Sequence, residues 1–171
     1  TIMSKEIINR VENSKLISID LGDYYLPGKR YELDIKDWLV DGLYLKEKEF
    51  RKAVKNHNWL QYKDAFVAIN CTSQAIIPPW AYMLISTQLS NNTKKTVIGN
   101  LNDLEKKIFE EQIQKIDLSL YQDKSVVIKG CSNNKVPMST YYNLCSKLLP
   151  IAKSIMYGEA CSSVPVFKKR S

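Results

Sequence analysis

The run CTSQAIIPPWAY, residues 71–82, decides the fold of this chain. It follows an apolar run at residues 66–69, contains two consecutive prolines, and leads into apolar residues at helical spacing. This order predicts a strand, a polar loop and a helix start, because proline fits the first turn of a helix, where an amide hydrogen has no partner. The pattern recurs as CSNNKVPMSTY at residues 131–141, behind the β-branched run at 126–128. Each copy therefore begins with a cysteine at a strand-to-helix connection.

The two copies belong to a longer internal repeat. With a shift of 59 residues, the segment 43–100 matches the segment 101–159 at core and turn positions. The matched turn-forming and charged positions are Pro78 with Pro137, Gly99 with Gly158, Asp64 with Asp123, and Lys94 with Lys153. Chance similarity of two strand–helix segments explains apolar matches but not these. The pattern predicts an internal duplication within a single domain, residues 1–171.

The order of the patterns predicts the fold class. Two alternating runs, at 16–21 and 30–35, flank a Pro-Gly-Lys turn at 27–29 and predict an N-terminal β hairpin. The later patterns predict helices at 46–57, 79–89, 101–116 and 137–148, and strands at 66–69, 96–98, 126–128 and 154–157. Because strand–helix–strand crossovers produce parallel pairing, we predict an α/β fold. In it, internally duplicated α-β-α-β units form a largely parallel sheet with an N-terminal β hairpin.

Composition and charge limit the function classes. The chain is 44% hydrophobic and 25% charged, which is ordinary for a soluble globular protein. No apolar run approaches the roughly 20 residues of a membrane helix, and residues 1–12 lack the apolar core of a signal peptide. We therefore expect a cytoplasmic protein without membrane association. The net charge of +7 comes mostly from dispersed lysines and arginines, so nucleic-acid binding is the least favoured class.

Three of the four cysteines carry the clearest chemical hypothesis. Cys71, Cys131 and Cys161 lie near predicted strand ends, and each is followed by a hydroxyl residue that can donate a hydrogen bond to the sulfur. Since carboxyl ends of parallel strands meet at one edge of a sheet, these thiolates are candidate ligands of zinc or an iron–sulfur cluster. His57, the only histidine, and Glu159 are candidates for a fourth ligand.

Other interpretations of the cysteines stay open. One is reactive-thiol chemistry, with His57 as the partner of Cys71 or Cys131; the other is a purely structural role. Cys145 aligns with Ser86 in the middle of a helix, so we expect a small buried residue there. Nucleotide-binding and nucleophile-elbow motifs are absent from the sequence. The sequence thus names no catalytic residue and leaves enzymatic activity undecided.

Several runs resemble a known family over nearly the whole chain. They are DIKDWL at 34–39, AIIP at 75–78, WAYML at 80–84, KGCS at 129–132, YGE at 157–159 and CS at 161–162. These runs are similar to an uncharacterised domain-of-unknown-function family from Bacteroidetes, which has no established activity. Members are often encoded near iron–sulfur cluster assembly components. The resemblance therefore implies a role beside that machinery, with its components as protein partners.

Residues and resemblance together predict a cytoplasmic accessory protein that handles a metal ion or an iron–sulfur cluster through Cys71, Cys131 and Cys161. The alternative is a non-catalytic protein-interaction module with structural cysteines. In that case the two similar halves present one surface to a partner protein or to a second copy in a homodimer.

Overall fold

The computed structural model describes residues 16–130, 135–159 and 162–170. The strands are β1 (Leu16–Asp20), β2 (Arg30–Asp34), β3 (Phe66–Asn70), β4 (Lys95–Ile98), β5 (Ser125–Lys129), β6 (Ser154–Tyr157) and β7 (Val164–Lys168). The α-helices are α1 (Glu47–Asn56), α2 (Pro79–Leu89), α3 (Leu101–Gln114) and α4 (Met138–Leu148). Short 3-10 helices span Leu21–Tyr24, Ile35–Trp38, Trp59–Tyr62 and Leu118–Tyr121.

The chain divides into two compact units. Unit 1 comprises residues 1–26 and 108–171, and unit 2 comprises Pro27–Lys107. Unit 2 is thus inserted into the sequence of unit 1, after β1 and its 3-10 helix. That the two units form a single domain stays a prediction.

Unit 2 is built on a three-stranded parallel sheet in the order β2-β3-β4. The first four residues of the central strand β3 are all buried, as expected for a parallel strand covered on both faces. Pro78 precedes α2 and Pro79 is its first residue, and the helix packs against the sheet. Side chains of α1 and α2 join the strands in one core that includes Phe50, Val54, Val67, Ile69, Ile85 and Leu89.

Unit 1 has a four-stranded sheet in the order β1-β5-β6-β7. β1, β5 and β6 are parallel, and β7 pairs antiparallel with β6 at the edge. Its core includes Ile17, Ile19, Val126, Ile128, Leu144, Leu148 and Ile155. β7 was not predicted from the sequence, because its residues do not alternate between apolar and polar. Pro165 within β7 suits an edge strand, because an edge position does not need every amide hydrogen for the ladder.

The predicted α/β class with largely parallel pairing is confirmed. The helices and strands predicted between residues 46 and 157 are all present, and their ends differ from the prediction by no more than two residues. Among the described residues, no helix is both long enough and apolar enough to cross a membrane.

The predicted N-terminal β hairpin does not form, because β1 and β2 do not pair with each other. β1 pairs in parallel with β5, and β2 pairs in parallel with β3, so each strand belongs to a different sheet. At the end of each strand an aspartate, Asp20 or Asp34, accepts a hydrogen bond from the amide two residues later and starts a 3-10 helix. Alternation predicts a strand but not its partner, and burial against a core strand decides the pairing.

Candidate functional site

The predicted metal ligands fall into two groups. Cys71 belongs to unit 2, directly after β3, where it is half-buried and packs against the core of that unit. Cys131 and Cys161 lie outside the described residues, and the residues around them belong to unit 1. The prediction that all three cysteines share one site therefore stays a prediction.

The described neighbours of the two unit 1 cysteines lie at one edge of the sheet. β5 and β6 are adjacent and parallel, and the Gly158 amide donates a hydrogen bond to the Ile128 carbonyl oxygen at 3.0 Å. The Lys129 ammonium and the Glu159 carboxylate form an ion pair at 3.0 Å. Gly130 and Glu159 therefore follow two adjacent strands at the carboxyl edge, where ligands bind in parallel α/β sheets.

A cavity of about 610 Å³ opens at this edge of unit 1. Its walls come from the end of β5, the first two turns of α4, and the strands β6 and β7. Most of the side chains are apolar, and Lys135 is the one charged residue among the described residues that line the cavity. Volume and composition are those of a small-molecule pocket.

Gly130 allows Tyr141 to cross the end of β5. A β-carbon at Gly130 would meet the Tyr141 hydroxyl oxygen at 1.6 Å, so a larger residue would displace this ring. Tyr141 packs edge to face against Tyr157, with ring centroids 5.8 Å apart. Both rings line the cavity, and each is anchored in regular secondary structure.

Cys145 lines the same cavity, a role that the sequence analysis missed. It is half-buried on α4, and burial raises the pKa of its thiol. The group is therefore an uncharged thiol at neutral pH and forms a soft apolar wall rather than a thiolate ligand. The available signal was the spacing of Met138, Tyr141 and Cys145, because residues three and four apart share one face of a helix.

The loop that contains Cys71 is bound to the end of β2. The Asp34 carboxylate accepts hydrogen bonds from the Thr72 amide at 3.1 Å and from the Thr72 hydroxyl at 2.5 Å. Burial opposes ionisation of Asp34, but these bonds and one from the Lys36 amide lower its pKa. The hydroxyl that follows Cys71 therefore donates to a carboxylate and not to the sulfur.

Asn70, the last residue of β3, has an unsatisfied acceptor. Its side-chain nitrogen donates to the Glu32 carboxylate at 2.5 Å. Its Oδ1 is buried without a hydrogen-bond partner among the described residues. A buried acceptor without a donor costs about 1–3 kcal/mol. The end of β3 therefore carries a polar group that a ligand can satisfy.

His57 lies in an aromatic cluster of unit 2. Its Nε2 is 2.8 Å from the Tyr62 hydroxyl oxygen, and its ring centroid is 5.1 Å from that of Trp38 and 4.7 Å from that of Trp59. Burial lowers the pKa of His57, which keeps the ring neutral at pH 7. Because this nitrogen is already hydrogen-bonded, we leave His57 out of the candidate ligands. The described ranges also contain no group of three His, Cys, Asp or Glu residues suited to a metal ion.

The fold and this edge define a class: an α/β protein of two small units with largely parallel sheets, in which unit 1 holds an apolar cavity of about 610 Å³ at the carboxyl edge of its sheet. The chain belongs to the family described as protein of unknown function (DUF2480), whose model matches residues 5–169. Neither the curated proteins nor the solved structures contain a significant match. The resemblance to a domain-of-unknown-function family is confirmed, whereas its origin in Bacteroidetes and its link to iron–sulfur assembly stay predictions.

Proposed function

We propose that this is a cytoplasmic accessory protein that handles a metal ion or an iron–sulfur cluster at the carboxyl edge of the unit 1 sheet. The supporting observation is that Gly130 and Glu159, which neighbour Cys131 and the segment before Cys161, follow adjacent strands at that edge. Thiolates on two such neighbouring loops suit zinc or cluster iron, both of which prefer soft ligands. Iron–sulfur assembly components are the protein partners in this proposal.

Glu159 is a further candidate donor at this edge. Cys71, which follows β3 in unit 2, stays the third thiolate ligand that the sequence predicts. Glu159 is exposed and pairs with Lys129 at 3.0 Å, so a bound cation competes with one ammonium group for this carboxylate. Cys145 stays outside the set of candidate donors, because it lies on α4 in the apolar lining of the cavity.

Elemental analysis and an absorption spectrum of protein purified without oxygen test this proposal. We expect stoichiometric zinc, or iron with visible sulfur-to-iron absorption. The Cys131→Ser and Cys161→Ser variants should lose the metal with the fold intact, and Cys71→Ser should lower the metal content. Cys145→Ser is the matched control and should keep it. A colourless, metal-free wild-type protein would contradict the proposal.

A protein-interaction module is the second candidate, because apolar side chains are exposed at equivalent positions in the two units. Met83 on α2 and Tyr142 on α4 are separated by the repeat shift and are 66% and 75% exposed. Contiguous exposed apolar patches are typical of surfaces that bind a partner protein or a second copy, and Met83 and Tyr142 would be the centres of two such patches. Sedimentation tests the second-copy form: a dimer that the double variant Met83→Lys/Tyr142→Lys converts to monomer supports it, and a wild-type monomer contradicts it.

A further inference from the structure

We propose that the cavity of unit 1 binds a small molecule with a flat apolar body and one anionic group. The cavity volume of about 610 Å³ lies within the range for small-molecule sites. Two other cavities, one lined by residues of α3 and α4 and one in unit 2 beside Trp38, each measure about 360 Å³. This proposal does not depend on metal binding by the cysteines.

The lining determines the apolar part of the ligand. Ile128 and Ile155 are buried members of the unit 1 core that also line the cavity. Tyr141 and Tyr157 add two aromatic rings, and Met138 adds a polarizable thioether, groups that favour flat unsaturated ligands. Met138 is 84% exposed at the mouth, so a bound molecule would cover apolar surface that now faces water.

Charge determines the polar part of the ligand. Lys135 is exposed at the cavity and is the one charged residue among the described lining residues. The acid at the same edge, Glu159, is paired with Lys129 at 3.0 Å. An ammonium group at the rim of an apolar cavity attracts an anion, and the net charge of +7 strengthens this attraction.

Unit 2 lacks the elements that form this cavity. The equivalent of Cys145 is Ser86, which is exposed and whose hydroxyl donates to the Met83 carbonyl oxygen at 2.6 Å. In the described part of unit 2, the sheet has three strands, so nothing corresponds to β7 and its contribution of Val166 to the wall. The repeat therefore supplies Ser86 as a matched control position for Cys145.

Two fluorescent probes that differ in one group test the ligand class. They are 8-anilino-1-naphthalenesulfonate and its neutral counterpart N-phenyl-1-naphthylamine. The folded protein should bind one molecule of the sulfonate probe, with enhanced and blue-shifted emission, and about threefold more tightly than the neutral probe, as expected for one exposed charge. Lys135→Gln should abolish this preference. Lys147→Gln, an exposed position of α4 outside the cavity lining, should retain it.

Filling the cavity tests its location. Cys145→Phe places a ring in the space and should weaken both probes at least about tenfold, the scale of losing one well-buried contact. Ser86→Phe, the equivalent change in unit 2, should leave both affinities unchanged. Circular dichroism checks that both variants are folded.

The wild-type protein provides a readout that does not depend on the folding of a variant. Saturating sulfonate probe should slow alkylation of Cys145 by iodoacetamide, followed by peptide mass spectrometry, while Cys71 reacts at its original rate. Unprotected Cys145, or equal losses of affinity in Cys145→Phe and Ser86→Phe, would overturn the proposal. Probe binding that decreases as a dimer forms at higher protein concentration would assign the cavity to a second copy and would also overturn it.

Discussion

Unit 1 and unit 2 repeat the same backbone hydrogen bonds at a constant shift of 59 residues. The equivalent pairs are Asp64 N to Asn92 O and Asp123 N to Ile151 O, Lys94 N to Ala65 O and Lys153 N to Lys124 O, and Gly99 N to Ile69 O and Gly158 N to Ile128 O. In unit 2 these bonds connect β3 and the residues just before it with the residues that flank β4. In unit 1 they connect β5 and the residues just before it with the residues that flank β6. The repeated geometry supports the predicted duplication of residues 43–100 and 101–159.

The side chains placed on this shared backbone differ. Directly after the strand, unit 2 has Cys71 and unit 1 has Gly130, so the unit 1 cysteine of the repeated motif comes one residue later. Unit 2 packs His57 among aromatic rings where unit 1 has Ile116. Unit 1 adds β7 at the edge of its sheet and opens a cavity beside Tyr141. The shared turns and strand ends therefore maintain the fold in both units, whereas a few substitutions at one sheet edge create a binding space in unit 1.

Matched core truncations should have the largest effect and test whether the units unfold together. Ile85→Ala and Leu144→Ala remove fully buried side chains at equivalent positions, and each should lower the free energy of unfolding by about 2–5 kcal/mol. All three tryptophans lie in unit 2, so their fluorescence reports unit 2 and circular dichroism reports the whole chain. If the chain is a single cooperative domain, Leu144→Ala shifts both denaturation curves equally. A shift in circular dichroism alone would contradict that prediction.

Alanine substitutions at Gly130 and Cys71, the residues that directly follow β5 and β3, should have the next largest effect. Gly130→Ala should lower the free energy of unfolding by about 1–3 kcal/mol, because the new β-carbon overlaps the Tyr141 hydroxyl. Cys71→Ala is the matched change in unit 2 and should cost less, since the backbone there already carries a β-carbon. Adding Tyr141→Phe to Gly130→Ala removes the closest atom and should recover part of the stability in urea denaturation. No recovery would show that the overlap is not the cause.

The equivalent left-handed turns at Asp64 and Asp123 should respond equally to substitution. Asp64 and Asp123 have φ angles of 55° and 57°, in the region that disfavours residues with a β-carbon. Replacement of either aspartate by alanine should lower the thermal stability, at a cost of about 1 kcal/mol. Replacement by glycine should not, because glycine adopts this conformation without strain. Unequal alanine effects at the two sites would weaken the equivalence of the turns.

Protonation of His57, which lies in unit 2, should give the smallest effect. Burial lowers its pKa in the folded state from the ordinary value of 6.5, so the unfolded chain binds the proton first as the pH falls. The neutral His57 ring contributes fully to the free energy of unfolding above the unfolded-state pKa of 6.5. This contribution decreases as the pH falls towards the lower folded-state pKa. His57→Gln should flatten the dependence of unfolding free energy on pH between about 7.5 and 5.5, where histidine titrates. An unchanged slope would rule out this origin, since the chain has one histidine.

The edge of the sheet that holds the cavity was predictable from the sequence, but the cavity was not. Strand-to-helix loops after residues 69 and 128 place ligand-binding positions at carboxyl edges, because parallel pairing follows from the crossover pattern. The cavity depends on Gly130 and Tyr141 meeting across a loop and on Val166 from a strand that has no alternation. Such meetings depend on side-chain volumes in three dimensions, which periodicity does not encode.

By itself, the sequence determined the α/β class and, between residues 46 and 157, the ends of the helices and strands to within two residues. It did so because proline, glycine and apolar spacing act locally: Pro78 and Pro79 start α2, and Asn91 and Asn92 follow its end. Only the tertiary structure decided that β1 and β2 join separate sheets and that Cys145 faces a cavity. The pairing of strands and the exposure of a helix face depend on which apolar surfaces, distant in the sequence, are buried against each other. That is a property of the whole fold.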